Sequence, residues 1–145
     1  MIAVDTNVLV YAHRREAREH AIASRQLSEL AAGSEPWAIP WPCVYEFFSV
    51  VTNRRIWKDA ASTPAQAWRQ IEAWLASPSL RLLSETDDFS SVLAPLLNRP
   101  RVTGAVVHDA RIVGLCLAHG VETLLTRDRD FSIFHELRTG NPFAE

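Results

Sequence analysis

Four acidic residues stand in unusual surroundings. Asp5 directly follows the apolar run Met1–Val4, and Glu46 is flanked by Val44, Phe47 and Phe48. Asp109 lies between Val106-Val107 and Ile112-Val113, and Asp128 follows Thr123–Thr126. Taken singly, each has an ordinary explanation. An Asp after a strand forms an Asx-turn or caps a helix, and an acid in a helix's first turn favours the macrodipole. Taken together, they suggest a different chemistry. Carboxylates packed together repel one another and destabilise the fold unless a cation neutralises them. All-oxygen ligands suit Mg²⁺ or Mn²⁺ rather than zinc. Such ions activate water and stabilise the charge that develops on a phosphodiester, so the pattern predicts metal-dependent phosphoryl or phosphodiester hydrolysis.

The elements that must position these residues follow from periodicity. Met1–Val4 reads as a buried strand followed at once by the polar loop residues Asp5-Thr6-Asn7. Arg15–Ala32 reads as a helix stopped by Gly33, and Trp37–Pro40 as a short strand. Val44, Phe47, Phe48 and Val51 fall at i, i+3, i+4 and i+7 of a second helix. Pro64 opens a third helix running to Ser77, with Trp68, Ile71 and Leu75 facing inward and Trp74 left for a dimer surface. Leu80–Leu83 is a strand, and Asp87–Leu97 is a helix disturbed by Pro95. Ala105–His119 is the strongest helix, closed by Gly120. Thr123–Thr126 is the next strand, and Leu137-Arg138 adds an edge strand. Short apolar strands alternating with helices indicate an α/β fold with a central parallel sheet. In such sheets the carboxyl ends of strands and the starts of the following helices share one ligand-binding edge, where all four acids are expected to converge.

With 145 residues, a single domain over 1–145 is expected, and no repeat, low-complexity tract or linker interrupts it. Lys+Arg of 15 against Asp+Glu of 17 gives a formal charge of −2, which argues against a DNA-coating protein while allowing a local basic patch. The one lysine, Lys58, must serve any chemistry that needs an amine. Cys43 and Cys116 are far apart with no zinc spacing and read as buried small hydrophobes in a reducing compartment. No transmembrane run and no signal peptide is discernible, so a cytoplasmic location is expected.

Two other acidic-pocket chemistries fit poorly. A haloacid-dehalogenase-type phosphatase needs a second Asp two residues after its nucleophile, and Asn7 stands there. A response-regulator receiver needs a lysine at a later strand end, and Lys58 ends a helix. The segments IAVDTNVLVYA (2–12), VYEFFSVVTN (44–53), VVHDARIVGLCLAHGV (106–121) and LLTRDRDF (124–131) instead resemble the PIN domain, and more narrowly the VapC-like ribonuclease toxins of bacterial toxin–antitoxin pairs. The likeness covers nearly the whole chain, in order. It implies a three-layer α/β/α sandwich around a short parallel sheet, Mg²⁺- or Mn²⁺-dependent endonuclease activity on RNA, a homodimer, and a co-encoded antitoxin that inhibits the site. Asp5, Glu46, Asp109 and Asp128 match the family's acidic quartet. Thr6 and Asn7 match residues that brace the first aspartate, and Thr126 matches a hydroxyl two positions before the last acid. Asp130 matches a further acid, read mainly as a cap for the next turn. No quartet position departs from the pattern.

An acidic site also needs help to hold a polyanion. Arg14, Arg15 and Arg18 follow the Asp5 segment, and Arg54, Arg55 and Lys58 follow the Glu46 segment. Each cluster is either a solvated face or a phosphate-binding one, and Arg14, Arg15, Arg54, Arg55 and Lys58 are the RNA-binding candidates. His108 reads as a surface or packed histidine. Besides the toxin, two alternatives remain: a PIN-type RNA-processing nuclease without an antitoxin, and a non-catalytic RNA- or protein-binding PIN module. The intact quartet argues against the second.

Overall fold

A strand flanked on both sides by parallel neighbours must be apolar throughout, and the first strand meets that requirement. The computed structural model describes residues 1–144, and β1 spans Ile2–Val4 with Ala3 and Val4 fully buried. β2 (Trp37–Pro40), β3 (Leu80–Leu83), β4 (Thr123–Leu125) and β5 (Arg138–Gly140) complete a five-stranded sheet of order β3-β2-β1-β4-β5 in which all pairings are parallel. The chain builds outward from β1 to β3, then returns past β1 to lay down β4. Strand order therefore reverses between β1 and β4, the crevice where open α/β sheets bind ligands.

Among the described residues, seven α-helices flank the sheet. α1 (Thr6–His13), α2 (His20–Ala32), α3 (Trp41–Val51), α4 (Arg54–Trp57) and α5 (Pro64–Leu75) fall in the first two crossovers, and α6 (Phe89–Leu97) and α7 (Val106–Ala118) in the third. α1 packs on α2 and α3, α3 packs on α5, and α6 pairs with α7. Right-handed crossovers place the two groups on opposite faces, because the direction of travel reverses after β3. This is the expected three-layer sandwich.

Local rules explain the ends. Thr63 and Gln66 form a reciprocal capping box at α5, with Pro64 in its first turn. Gly120 takes a positive φ of 72° just past α7. Gly114 lets α7 approach α6, since a Cβ there would lie 3.0 Å from the Phe89 ring.

Several expectations change. The residues after β1 are not a loop, because Thr6 begins α1 immediately. α2 starts at His20 rather than Arg15, the preceding residues forming turns. α4 and a 3₁₀ turn over Lys58–Ala60 interrupt a stretch that lacked helical periodicity. On α5 the inward assignment was partly inverted. Trp68 and Leu75 are exposed, whereas Ala67, Ile71 and Trp74 are buried. Trp74 packs edge-on against Phe47 of α3 with ring centroids 4.8 Å apart, so it is a core residue and not a dimer surface. The 3.6-residue period allows both stripes, and only the position of α3 selects between them.

Candidate active site

Asp5 sits at the carboxyl end of β1, in the N-cap position of α1, yet its side chain makes no capping bond. Its carboxylate turns instead toward β4. Oδ2 accepts from the Thr126 hydroxyl at 2.7 Å and from the Asn7 amide at 3.1 Å, and Oδ1 accepts from the Cys43 thiol at 3.5 Å. Asp5 is 5% exposed. Burial raises its pKa above the ordinary value, with the Thr126 hydrogen bond opposing and the negative charge of Glu46 adding to the rise. Cys43 is fully buried, and burial pushes its thiol well up, so it remains a donor rather than a thiolate.

Thr126 and Asn7 tie the two strand ends together. Thr126 Oγ1 accepts from Asn7 Nδ2 at 3.1 Å and from the Asp128 backbone N–H at 3.0 Å, and Asn7 Oδ1 accepts from the Arg127 backbone N–H at 3.0 Å. Asp128 Oδ1 accepts from the Asp130 backbone N–H at 2.8 Å, capping the 3₁₀ turn Arg129–Ile133. This inverts the expectation for Asp130, since Asp128 supplies the cap. The Asp130 side chain is then available elsewhere. Asp109, Asp128 and Asp130 each offer a carboxylate oxygen within 4.8 Å of the others, and no other group of three metal-ligating residues is so close among the described residues.

Glu46 lies in the second turn of α3, exposed, with Oε2 accepting from the Thr6 hydroxyl at 3.0 Å. Asp109 lies in the first turn of α7 and bears the electrostatic cost of the cluster. Desolvation comes first, then the charges of Asp128, Asp5, Asp130 and Glu46, and together they raise its pKa to about 7. A carboxyl raised in this way reports the mutual repulsion of the cluster, which a bound cation would relieve. Asp5, Glu46, Asp109 and Asp128 all line one cleft of about 400 Å³, walled on the apolar side by Val50, Trp57 and Ile112. A second cleft of about 580 Å³ shares Glu46, Asp109 and Asp128 with it and adds Asp130, Tyr45 and His108.

The basic candidates separate in space. Arg14 is 6% exposed, stacked 4.0 Å from the Trp57 ring centroid, donating to the Ala60 carbonyl at 2.8 Å and paired with Glu16. Its charge holds the segment after α4 and is not presented to solvent, which removes it from the phosphate-binding candidates. Arg15 lines a separate hollow with Gln70 and Trp74. Arg54, Arg55 and Lys58 are exposed on either side of Trp57, with Arg54 loosely paired to Asp59 at 3.4 Å. The wall residues Tyr11 and Trp57 escaped the sequence reading. Tyr11 lies inside the segment 2–12 and Trp57 shortly after the segment 44–53, and the tertiary fold turns both to the cleft.

A five-stranded parallel sheet with acids gathered at its switch point defines the class. The PIN domain family model matches residues 2–137, and the chain belongs to the PIN-domain family. Among characterised relatives, the VapC ribonuclease Mb2897 of Mycobacterium bovis is 36% identical over 142 residues, covering 98% of this chain and 95% of that one. Ribonuclease VapC48 of Mycobacterium tuberculosis is 30% identical over 140 residues, covering 97% and 96%. Of solved structures, VapBC2 from Rickettsia felis bound to a promoter DNA fragment superposes with a TM-score of 0.70 at 19% identity, covering 97% of this chain and 98% of that one. The Sarcin–Ricin loop cleaving toxin VapC20 of Mycobacterium tuberculosis gives 0.67 at 17% identity, covering 93% and 95%.

Proposed function

We propose that this protein is a metal-dependent endoribonuclease that hydrolyses RNA phosphodiester bonds, and that it is the toxin of a toxin–antitoxin pair. The observation that carries the proposal is the meeting of Asp5, Glu46, Asp109 and Asp128, from four separate segments, in one cleft. The VapC relatives and the PIN membership support the substrate and the toxin role.

The donor set fits a hard divalent cation. It is all oxygen, three carboxylates approach within 4.8 Å, and Asp109 is held near neutrality by charges that a cation would offset. Asp109, Asp128, Asp130 and Asp5 would hold Mg²⁺ or Mn²⁺. Such an ion supplies Lewis-acid stabilisation of the phosphate and activation of water. The chain's own residues do the rest. Thr126, Asn7 and Cys43 fix the Asp5 carboxylate, so it needs no reorganisation when charge develops. Thr6 orients Glu46, which is assigned the proton of the attacking water.

The partners implied are an RNA substrate, a cognate antitoxin that places a basic side chain against the carboxylates, and a second copy of this chain. Among the described residues no helix is long and apolar enough to cross a membrane. The test is cleavage of single-stranded RNA by the purified protein. We expect cleavage with Mg²⁺ or Mn²⁺, none after chelation, and none in Asp5→Asn or Asp109→Asn with circular dichroism unchanged. Full cleavage in both Asn variants, or none by the folded parent in either metal, overturns the proposal. Sedimentation tests the dimer, and co-expression with the product of an adjacent small reading frame tests the antitoxin.

A further inference from the structure

Tyr45 immediately precedes Glu46 on α3 and is 73% exposed, the most exposed of the large hydrophobic residues described. Leaving an aromatic ring in water forgoes the stabilisation of burial, and its hydroxyl makes no hydrogen bond among the described residues. The ring is not adrift, however. Trp41, one turn earlier and partly packed into the core, lies 6.4 Å away between centroids at 47°, giving Tyr45 a fixed neighbour. Tyr45 also forms part of the wall of the second cleft, together with Pro42 of α3 and His108 of α7. That cleft shares Glu46, Asp109 and Asp128 with the first, so Tyr45 and the carboxylates line one continuous hollow.

From this geometry we infer that Tyr45, backed by Trp41, is a stacking platform for a nucleobase of single-stranded RNA adjoining the cleaved phosphate. The inference rests on the ribonuclease reading and deepens it by naming where a base is held. A flat, exposed aromatic beside an acidic site fits a base better than a phosphate, because a phenol ring offers a π-face and no positive charge. Single-stranded RNA is held in this way on aromatic side chains, with little dependence on sequence. The cleft, at about 580 Å³, has room for a base with its ribose. The platform also addresses an electrostatic problem. With a formal charge of −2 and five acids about the site, backbone attraction is weak, and stacking provides affinity that salt does not screen.

The test uses Asp109→Asn as an uncleaving background in Mg²⁺. The probes are a fluorescently labelled mixed-sequence RNA dodecamer and an abasic ribose-phosphate oligomer of equal length, read by anisotropy. Tyr45 is exposed, so Tyr45→Ala leaves no cavity and the fold should survive. Tyr45→Ala is expected to weaken the base-bearing RNA by roughly 5- to 100-fold and to leave the abasic oligomer unchanged. Tyr45→Phe should bind both as the parent does. In the cleaving protein, Tyr45→Ala should raise KM more than it lowers kcat. Equal loss for both probes, no loss for either, or no preference of the parent for bases overturns the inference. So does a change in sedimentation of Tyr45→Ala without RNA, which would assign the ring to a contact between copies. Failure of the ribonuclease reading shows separately, as an absence of cleavage by the unsubstituted protein.

Discussion

Replacing Asp109 by Asn keeps the shape of the side chain and removes its charge, so it isolates what that charge costs the metal-free fold. The carboxyl titrates at about 7 in the folded protein against an ordinary 3.8, because it is desolvated and faces Asp128, Asp5, Asp130 and Glu46. A raised acid is protonated more readily in the folded state than in the unfolded one. There is therefore no penalty below about pH 4. The penalty grows as pH rises through the interval between the two values and is complete above about pH 7. A shift of about three units corresponds to a ceiling of roughly 4 kcal/mol. Asp109 is only half-buried, and solvent screening reduces this to about 1–2 kcal/mol. In chelator near pH 8, Asp109→Asn is thus expected to be more stable than the parent by about 1–2 kcal/mol, or roughly 2–8 °C in Tm. The difference should vanish near pH 4. Excess Mg²⁺ or Mn²⁺ should reverse the order, because the ion stabilises the folded parent and has lost a ligand in the variant. Thermal unfolding followed by circular dichroism across pH, with and without metal, measures all of this. A parent as stable as Asp109→Asn in chelator above pH 7 would refute the idea that the carboxylates burden one another.

Other outcomes follow from the same geometry. Mn²⁺ affinity measured by calorimetry should rise about tenfold per pH unit below pH 7 and level off above it, since the ion competes with the Asp109 proton. A flat profile would mean that Asp109 is not a ligand. Thr126→Val removes the donor at 2.7 Å from the buried Asp5 and the acceptor for the Asp128 N–H. Urea unfolding should show a loss of about 1–3 kcal/mol, and cleavage should fall with it. Replacing Arg54 and Arg55 together by Ala should flatten the salt dependence of RNA binding by roughly 0.7 per lost phosphate contact. Arg14→Met should leave that slope unchanged and cost about 1–3 kcal/mol of stability, because Arg14 serves Trp57 and the Ala60 carbonyl. Hydrogen exchange of the complex with an antitoxin should protect the cleft and the first helices. Protection confined to the opposite face would count against inhibition at the site.

The sequence alone was enough to place the inner strands. β1, β2 and β4 are short apolar runs bounded by polar or turn residues, because strands buried inside a parallel sheet have no polar face to blur the signal. β3 also falls where expected, although Arg81 is exposed on it. The outer strand β5 is the polar, largely exposed Arg138–Gly140, displaced from Leu137-Arg138 because an edge strand carries no such signal. It also marked the acids, since a carboxylate among apolar residues is conspicuous without any coordinates. Distance and facing were beyond it. That Asp5 turns from the helix it could cap toward Thr126, 121 residues away, depends on β1 and β4 being neighbours. That Asp128 and not Asp130 caps the next turn depends on which carboxylate the 3₁₀ turn claims. The α5 stripe was misread because Trp68 and Leu75 share a helical period as legitimately as Ile71 and Trp74, and the difference lies in where Phe47 sits. Arg14 was misread for a related reason. An arginine beside another arginine looks solvated in sequence, and only the folding of Trp57 and Ala60 over it supplies the contacts that allow a guanidinium to be buried. Periodicity is a local property of the chain, whereas the partner that satisfies a buried charge is set by contacts between segments far apart in sequence.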